Sequence, residues 1–247
     1  MLSEERLARI TALVTERQSI TIQELMKILG TSESTTRRDL TILDAEGKIT
    51  KVFGGALAKG VVFRARDDTV MARKHHNKEE KAKIARYAAM LIKANDFVYL
   101  DAGTTTELMI DFITEKTAVF VTNGFLLAKK LSEKGFLTYI PGGEVKFPTE
   151  AIVGIEAAQS LRKYNFSIGF WGTNGINKEN GFSTPDVKEA LVKQTAMEKT
   201  RQKYVICDAS KFSQISCVTF AAFDSATIVT SGLEDEHYKN CKNILEV

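Results

Sequence analysis

Hydrophobic positions near the start of the chain recur at helical spacing. An apolar stripe that includes Ile10 and Val14 predicts a first helix over residues 4–17. Thr21 and Glu24 stand three positions apart in the sequence TIQE, which is the pattern of a capping box. We therefore expect a second, short helix to begin at this point.

A third helix follows after a tight turn at Gly30. Ser32 is a plausible N-cap and Gly47 a plausible stop, and between them the apolar residues Leu40 and Leu43 come late. These two leucines would anchor the helix to the first two helices. Three short helices with a tight turn between the second and the third outline a helix-turn-helix.

The first two turns of the third helix are polar, with small hydroxyl side chains followed by paired arginines. Such residues can contact phosphates and base edges in the major groove of DNA. The alternating run KITKVFGGALAKG predicts a two-stranded wing beside that helix. A polar surface helix has a similar composition, and residues 1–58 carry equal numbers of basic and acidic side chains. The candidate DNA-binding residues are Ser32, Ser34, Thr35, Thr36, Arg37, Arg38, Lys51, Gly54 and Gly55.

The hydrophobic pattern changes after residue 77. A helical segment is followed by short apolar runs, typical of buried strands, that alternate with helical stretches. This alternation predicts a mostly parallel α/β sheet covered on both faces, in which ligands bind outside the carboxyl ends of the strands. The expected strands are 97–101, 118–122, 137–140, 166–171, 204–208 and 226–230, and the expected helices between them are 105–113, 124–134, 150–164 and 186–200.

Polar, glycine-rich clusters follow five of these expected strands, which indicates the rim of a pocket. In the first cluster Gly103 permits a close backbone approach, and the hydroxyls and amides of Thr104, Thr105 and Thr106 begin a helix. The dipole of that helix favours an anion such as a phosphate. Read alone, the same residues would only end a strand and cap a helix.

Charged residues near the expected rim suggest two further kinds of contact. Asp101 is a good partner for sugar hydroxyls, Glu189 could accept from a hydroxyl, and Lys211 could neutralise a phosphate. For Glu189 and Lys211 a surface position is an equally good interpretation. The same three residues could serve a sugar-phosphate isomerase as acid, base and electrophile, although an isomerase has no use for a helix-turn-helix.

Charge and composition narrow the class of protein. Residues 59–95 carry ten lysines and arginines against four acids, which fits a solvated linker, a helix face or a segment that meets a polyanion. Cys207, Cys217 and Cys241 lack metal-ligand spacing and are expected to be free thiols, and we expect neither a metal site nor a cofactor. The chain has no run of about 18 apolar residues and no apolar leader at its start, so we expect a cytoplasmic protein without membrane contact.

Taken together, the motifs resemble the DeoR family of bacterial transcriptional regulators along essentially the whole chain. SESTTRRDLTIL and VFGGA are similar to its N-terminal motif, and YLDAGTTT, VTNG, PGGEV, FWGTNGI, GFSTPDVKEALVKQ and DASKF follow the order of its sensor domain. The resemblance is strongest to the fructose operon repressors of Gram-positive bacteria. One departure is Trp171 before Gly172, where smaller aliphatic residues are usual; Trp171 either narrows the pocket or fills core, and we favour core.

The resemblance implies a winged helix joined to a domain like ribose-5-phosphate isomerase and the coenzyme A transferases. It implies a repressor that is relieved by a sugar phosphate, with fructose 1-phosphate the candidate, rather than an enzyme. We expect a DNA-binding domain at 1–58, a basic linker at 59–77 and a sensing domain at 78–247. A homodimer or tetramer is expected, since paired half-sites add specificity. The effector-binding residues carried over are Asp101, Gly103, Thr104, Thr105, Thr106, Asn123, Gly142, Gly143, Glu189 and Lys211.

Overall fold

The computed structural model describes residues 2–17, 19–52, 54–59 and 69–247, together with the backbone of residues 62–64. The predicted basic linker therefore falls partly outside the described residues. The N-terminal region, up to residue 59, contains three helices and three short strands. They are α1 (Ser3–Arg17), β1 (Ser19–Thr21), α2 (Ile22–Leu29), α3 (Glu33–Ala45), β2 (Ile49–Val52) and β3 (Gly55–Ala58).

Local capping fixes the helix-turn-helix as the sequence predicts. The Thr21 hydroxyl accepts from the Glu24 amide and the Glu24 carboxylate accepts from the Thr21 amide, which completes the capping box of α2. Gly30 ends α2 with a φ of 64°, a left-handed conformation that glycine adopts without strain. The Ser32 hydroxyl accepts from the Thr35 amide and begins α3. Ile10, Val14, Leu25, Leu40 and Leu43 are fully buried between the three helices.

The wing has one strand more than the two that the sequence predicts. Strands β2 and β3 pair antiparallel, and β1, which precedes α2, pairs antiparallel with the other edge of β3. A side chain at Gly55 would collide with the backbone oxygen of Ile20, so this position requires glycine for the close approach of β1 and β3. Three residues give too short an alternation for β1 to be predicted from its sequence.

Strand β4 (Val62–Arg64) and helices α4 (Val70–His75) and α5 (Lys78–Met90) follow the wing. Thr69 caps α4 by accepting from the Ala72 amide. Helix α5 confirms the helix predicted to begin near residue 77, and it buries Ile84, Ala85 and Ala88 against the sheet that follows. The segment between the winged helix and the sheet thus contains regular structure of its own.

A seven-stranded, entirely parallel sheet forms the centre of the remaining chain, as predicted. Its strand order is β17-β16-β13-β10-β5-β6-β7. The strands are β5 (Phe97–Leu100), β6 (Val119–Thr122), β7 (Thr138–Tyr139), β10 (Phe166–Trp171), β13 (Thr200–Ile206), β16 (Thr227–Thr230) and β17 (Ile244–Glu246). Helices cover both faces. They are α5, α6 (Thr104–Phe112), α7 (Phe125–Glu133), α8 (Ile155–Leu161) and α9 (Val187–Glu198).

Smaller strands sit beside this sheet, and they correct one prediction. The helix expected over residues 150–164 is wrong in its first part, because β9 (Ala151–Val153) pairs with β8 (Glu144–Lys146) and only Ile155–Leu161 is helical. Gly154 separates the two with a φ of 97°. The apolar run AIVGI is compatible with either a helix or a strand, and residues 151–153 form a strand because they pair with β8. The others are β11 (Gly175–Asn177), β12 (Gly181–Thr184), β14 (Gln214–Ser216) and β15 (Val218–Ala221).

Trp171 lies in the core, as expected from the sequence. Its side chain is fully buried and packs against Tyr99 with ring centroids 5.3 Å apart. A side chain at Gly169 would overlap the Trp171 indole, so the small residue two positions earlier makes room for the large one. The tryptophan therefore packs within the core and does not line a ligand site.

The winged helix contacts the sheet-containing region directly. Ile215 of β14 is buried in the apolar cluster of the winged helix, and β14 pairs in parallel with β4. On the same side, the Ser19 hydroxyl at the start of β1 donates to the Asn180 side-chain oxygen. No described helix is long and apolar enough to cross a membrane.

Candidate functional site

A cavity of about 340 Å³ opens at the carboxyl ends of β5, β6, β10 and β13. We call it the strand-end pocket. This is the edge at which an α/β sheet binds ligands, and the volume suits a small metabolite. Its lining combines hydroxyls, amides, four cationic side chains and three carboxylates. The residues are Arg73, His76, Asn77, Lys81, Asp101, Ala102, Gly103, Thr104, Thr105, Thr106, Asn123, Thr149, Ala151, Gly172, Thr173, Asn174, Glu189, Lys193, Ile206, Cys207, Asp208, Ser210 and Lys211.

The start of α6 forms one wall of the pocket. Gly103 precedes the helix, which begins without a side-chain hydrogen bond to its first amides. The Thr106 hydroxyl donates to the Gly103 carbonyl at 2.8 Å and so shapes the loop itself. Thr104 and Thr105 are each 8% exposed, and their side chains face a confined space rather than bulk water. A helix start with unused amides and the positive end of its dipole favours an anion.

Asp101, at the end of β5, is engaged with the protein itself. Its carboxylate forms a buried ion pair with the Lys193 ammonium and accepts from the Gly172 amide at 3.1 Å. Lys193 also donates to the Gly172 carbonyl at 3.0 Å. Burial raises the pKa of Asp101, and the charge and hydrogen bond of Lys193 oppose that rise. The pair joins β5, β10 and α9 at the pocket floor.

Glu189 of α9 is buried and faces the pocket. One carboxylate oxygen accepts from the Thr149 hydroxyl at 2.5 Å and from the Lys146 ammonium at 3.2 Å. The other oxygen accepts from the Thr184 hydroxyl at 3.2 Å. The carboxylate is therefore held in place by three donors, and the surface position that the sequence left open is excluded.

Asn123, at the end of β6, fixes the loop that leads into α6. Its side-chain oxygen accepts from the Tyr99 hydroxyl at 3.1 Å and from the Ala102 amide at 2.9 Å. Its side-chain nitrogen donates to the Ile152 carbonyl at 3.3 Å. Because these bonds use both ends of the amide, Asn123 shapes the wall of the pocket as well as lining it.

The opposite wall comes from α4, from the start of α5 and from the loop after β13. Arg73, Asn77 and Lys81 line it together with Asp208 and Lys211. The Asn77 amide donates to the Asp208 carboxylate at 2.9 Å. Burial would raise the pKa of Asp208, but hydrogen bonds from Ser210 and Asn77 and the nearby Lys211 and Lys81 charges hold it below its usual range.

The structure brings most of the predicted effector residues together. Asp101, Asn123, Glu189 and Lys211 line one cavity with the threonine loop. Gly142 and Gly143 lie outside it and are exposed. They follow β7, which is the edge strand of the sheet and is separated from β5 by β6. Thr149 and Ala151, further along the connection that follows β7, line the pocket in their place.

Several pocket residues were not predicted, although two had a recognisable signal. Lys193 stands four residues after Glu189, so the two share a helix face. Lys81 occupies the same face of α5 as Ala85 and Ala88 and is 4% exposed. A lysine inside an apolar helical stripe indicates a buried ammonium. The position of Arg73 had no comparable signal.

The predicted DNA-binding residues fall into two groups. Ser32, Ser34, Arg37 and Arg38 are exposed along the start of α3. The Arg37 guanidinium pairs with Glu33 at 2.6 Å, and both side chains are more than half exposed. Solvated pairs of this kind contribute little stability, so Arg37 can turn toward another partner at small cost.

The second group serves the structure of the winged helix. Thr36 is fully buried and bonds to the Thr31 hydroxyl at 2.9 Å and to the Ser32 carbonyl at 3.0 Å. Thr35 is half-buried and its hydroxyl lies 2.9 Å from that of Ser32. Lys51, in contrast, belongs with the exposed residues: it lies on β2, and its ammonium donates to the Thr41 hydroxyl at 2.7 Å.

The two wing glycines also have structural positions. Gly54 turns the wing with a φ of 85°, and its carbonyl accepts from the Ile22 amide at 2.8 Å. Gly55 lies against the backbone of β1. The wing is therefore tied to the start of α2, which fixes the exposed Lys51 relative to α3.

Fold and site together define a helix-turn-helix protein with a ligand-sensing domain. Residues 6–59 match the DeoR-like helix-turn-helix domain, and residues 76–232 match the DeoR C-terminal sensor domain. The chain belongs to the DeoR family. The predicted architecture and the interpretation as a regulator rather than an enzyme are thereby confirmed.

Individual relatives extend over nearly the whole chain. The uncharacterized HTH-type transcriptional regulator FruR of Bacillus subtilis (strain 168) is 42% identical over 97% of this chain and 95% of its own. The lactose phosphotransferase system repressor of Staphylococcus aureus (strain N315) is 33% identical over 100% of this chain and 99% of its own. Among solved structures, the ribose 5-phosphate isomerase A of Methanocaldococcus jannaschii overlaps 55% of each chain with a TM-score of 0.41 and 16% identity, which is too weak to carry an argument about function.

Proposed function

We propose that the protein represses a sugar-utilisation operon and is released when a sugar phosphate binds in the strand-end pocket. The observation that carries the proposal is the composition of that pocket. Confined threonines at an uncapped helix start face a wall with Arg73, Lys81 and Lys211. A phosphate fits this environment, because amides, hydroxyls and cationic side chains are its usual protein partners.

The sugar end of the effector would meet the carboxylates. Glu189 and Asp101 lie in the same cavity as the threonine loop, and carboxylate oxygens accept from sugar hydroxyls. We propose fructose 1-phosphate as the effector, since the resemblance is to fructose operon repressors and the relative named FruR shares 42% of its residues. The lactose phosphotransferase repressors, at 33% identity, support a different sugar phosphate as the second candidate.

DNA recognition would use α3 as the recognition helix. We propose that Arg37 and Arg38 reach base edges, with Ser32, Ser34 and Lys51 on phosphates, in a homodimer or tetramer that binds paired half-sites in the cytoplasm. The domain limits that we propose are 1–58, 59–77 and 78–247.

A thermal-shift screen against a panel of sugar phosphates tests the effector. A ligand that binds only the folded protein stabilises it by about 2.7 kcal/mol at a hundredfold its dissociation constant. We expect fructose 1-phosphate to raise the melting temperature, and unphosphorylated fructose to have no effect. A panel in which no phosphosugar raises the melting temperature would contradict the proposal, and a response to a phosphate of lactose or of galactose instead would favour the second candidate.

A further inference from the structure

Arg73 lies outside both regions of the chain that match a family domain. The two family matches end at residue 59 and begin at residue 76, so α4 lies between them. Even so, Arg73 lines the strand-end pocket, where its Nε atom is buried and has no hydrogen-bond partner in the part of the chain that the structure describes. A buried, unused donor on a guanidinium is unfavourable, which indicates that a partner is expected there.

Helix α4 is held beside the pocket by bonds to α6, to the loop after β13 and to α5. On one side the Lys74 ammonium pairs with Glu107 of α6 at 2.9 Å. On the other side Asn77, two residues after α4, donates to the Asp208 carboxylate at 2.9 Å. From below, the Lys81 ammonium donates to the Arg73 carbonyl at 2.6 Å. These three bonds place the Arg73 backbone between the threonine loop and the loop after β13.

The charge around Arg73 favours an anion rather than a protein carboxylate. Within the described ranges, neither Arg73 nor the buried Lys81 forms an ion pair. Asp101 is paired with Lys193 and Glu189 with Lys146, so the third pocket carboxylate, Asp208, is the one that lies near the Lys81 and Lys211 charges. Burial lowers the pKa of Lys81, the nearby positive charges of Lys211 and Arg73 lower it further, and the carboxylates of Asp208 and Glu80 only partly oppose the shift. An incoming phosphate would relieve this excess of positive charge.

We propose that Arg73 binds the phosphate group of the effector, opposite the amides of the threonine loop. This inference rests on the proposed function and adds to it a ligand from outside the sensor domain. A guanidinium can hold two phosphate oxygens through two parallel N–H···O bonds, a planar geometry that a lysine ammonium does not provide. Because Arg73 belongs to the segment that joins the winged helix to the sheet, its bond to the effector fixes that segment to the pocket. Effector occupancy then acts directly on the connection to the DNA-binding domain.

The test compares Arg73→Gln with the wild-type protein and with Arg162→Gln, an exposed arginine at the end of α8. Isothermal titration with fructose 1-phosphate is expected to show at least a tenfold loss of affinity for Arg73→Gln and no loss for Arg162→Gln. Thermal shift with inorganic phosphate as a minimal probe is expected to follow the same order. Fructose 1-phosphate affinity within twofold of wild type in Arg73→Gln would overturn the inference.

A second measurement uses the wild-type chain and does not depend on the variant folding. An arginine-selective dicarbonyl reagent, followed by peptide mass spectrometry, reports how accessible Arg73 is with and without fructose 1-phosphate. We expect protection of Arg73 and none of Arg162. Equal modification of Arg73 in both samples, with the effector shown to be bound by titration, would contradict the inference. A wild-type protein that binds no sugar phosphate would instead contradict the proposed function itself.

Discussion

Helix α3 and the strand-end pocket both present threonines and cationic side chains, but the environments of these side chains differ. On α3 the Arg37 side chain is 51% exposed and paired only with its neighbour Glu33. In the pocket Thr105 is 8% exposed and Lys193 is buried in an ion pair with Asp101. The first surface is solvated and adaptable, whereas the second is confined and largely fixed before any ligand arrives.

This difference matches the different functions that we propose for the two surfaces. Arginines that contact DNA must exchange water and their intrahelical partners for base edges. Weak bonds within the protein are therefore an advantage, because little free energy is lost when they break. A small effector offers few contacts, and a preorganised wall loses little conformational entropy when it binds. The variants below test whether the two surfaces are independent and where they are coupled.

Arg37→Ala should have the largest effect, and it should be confined to DNA. A bidentate contact with a base contributes about 1–3 kcal/mol, and a symmetric dimer loses two of them. We expect operator affinity, measured by fluorescence anisotropy, to fall by roughly a hundredfold, with fructose 1-phosphate affinity unchanged. Arg162→Ala is the control. An unchanged operator footprint for Arg37→Ala would exclude α3 as the recognition helix.

Ile215→Ala probes the contact between the two regions. Ile215 is 8% exposed in the apolar cluster of the winged helix, so truncation should destabilise that domain by about 2 kcal/mol. We also expect the effector to change operator affinity less than in the wild type, because the apolar contact between β14 and the winged helix is lost. Urea unfolding and anisotropy measure the two effects. Undiminished coupling would show that β14 takes no part in it.

Thr105→Val should affect only the pocket. The change replaces a hydroxyl by a methyl group of similar size and removes one hydrogen bond, which is about 1 kcal/mol. Fructose 1-phosphate affinity should fall about fivefold by titration, with operator affinity unchanged. The matched control is Thr117→Val, which lies on an exposed turn just before β6, at the amino end of that strand. Equal losses in both variants would argue against the threonine loop as the phosphate site.

Lys81→Met should separate stability from binding. The Lys81 ammonium is buried and forms no ion pair among the described residues, but it donates to the Arg73 carbonyl at 2.6 Å, so Lys81→Met removes a burial cost and a hydrogen bond together. We expect the burial cost to be the larger of the two, and the free energy of unfolding without effector to rise by about 1 kcal/mol. The same change should weaken fructose 1-phosphate binding, since one cationic group is lost from the pocket. Denaturant unfolding measures the change in stability, and titration measures the change in fructose 1-phosphate affinity. A variant less stable than the wild type would show that the ammonium is already compensated.

The comparison also explains which features were accessible from the sequence. The winged helix is specified locally, as the Thr21 capping box and the Gly30 stop show, and each signal lies within a few residues. The threonine loop was likewise local, since it directly follows β5. These features need no knowledge of which strand lies beside which.

Features that depend on strand order or on a distant segment could not be predicted in this way. Gly142 and Gly143 have a loop composition like that of Gly103, but they do not line the pocket, whereas Thr149 and Ala151 further along the chain do. Arg73 reaches the pocket only because Lys74 and Asn77 bond to segments 33 and 131 residues away. The run at 151–153 became a strand because β8 pairs with it, a contact that periodicity does not report.

The central claim is that effector binding in the strand-end pocket lowers operator affinity. It is tested most directly by fluorescence anisotropy of a labelled operator, titrated with the protein at a fixed salt concentration, with and without saturating fructose 1-phosphate. We predict an operator dissociation constant at least fivefold higher with the effector, and an effector dissociation constant raised by the same factor when operator is present. An operator affinity that stays the same while titration shows the effector bound would contradict the account.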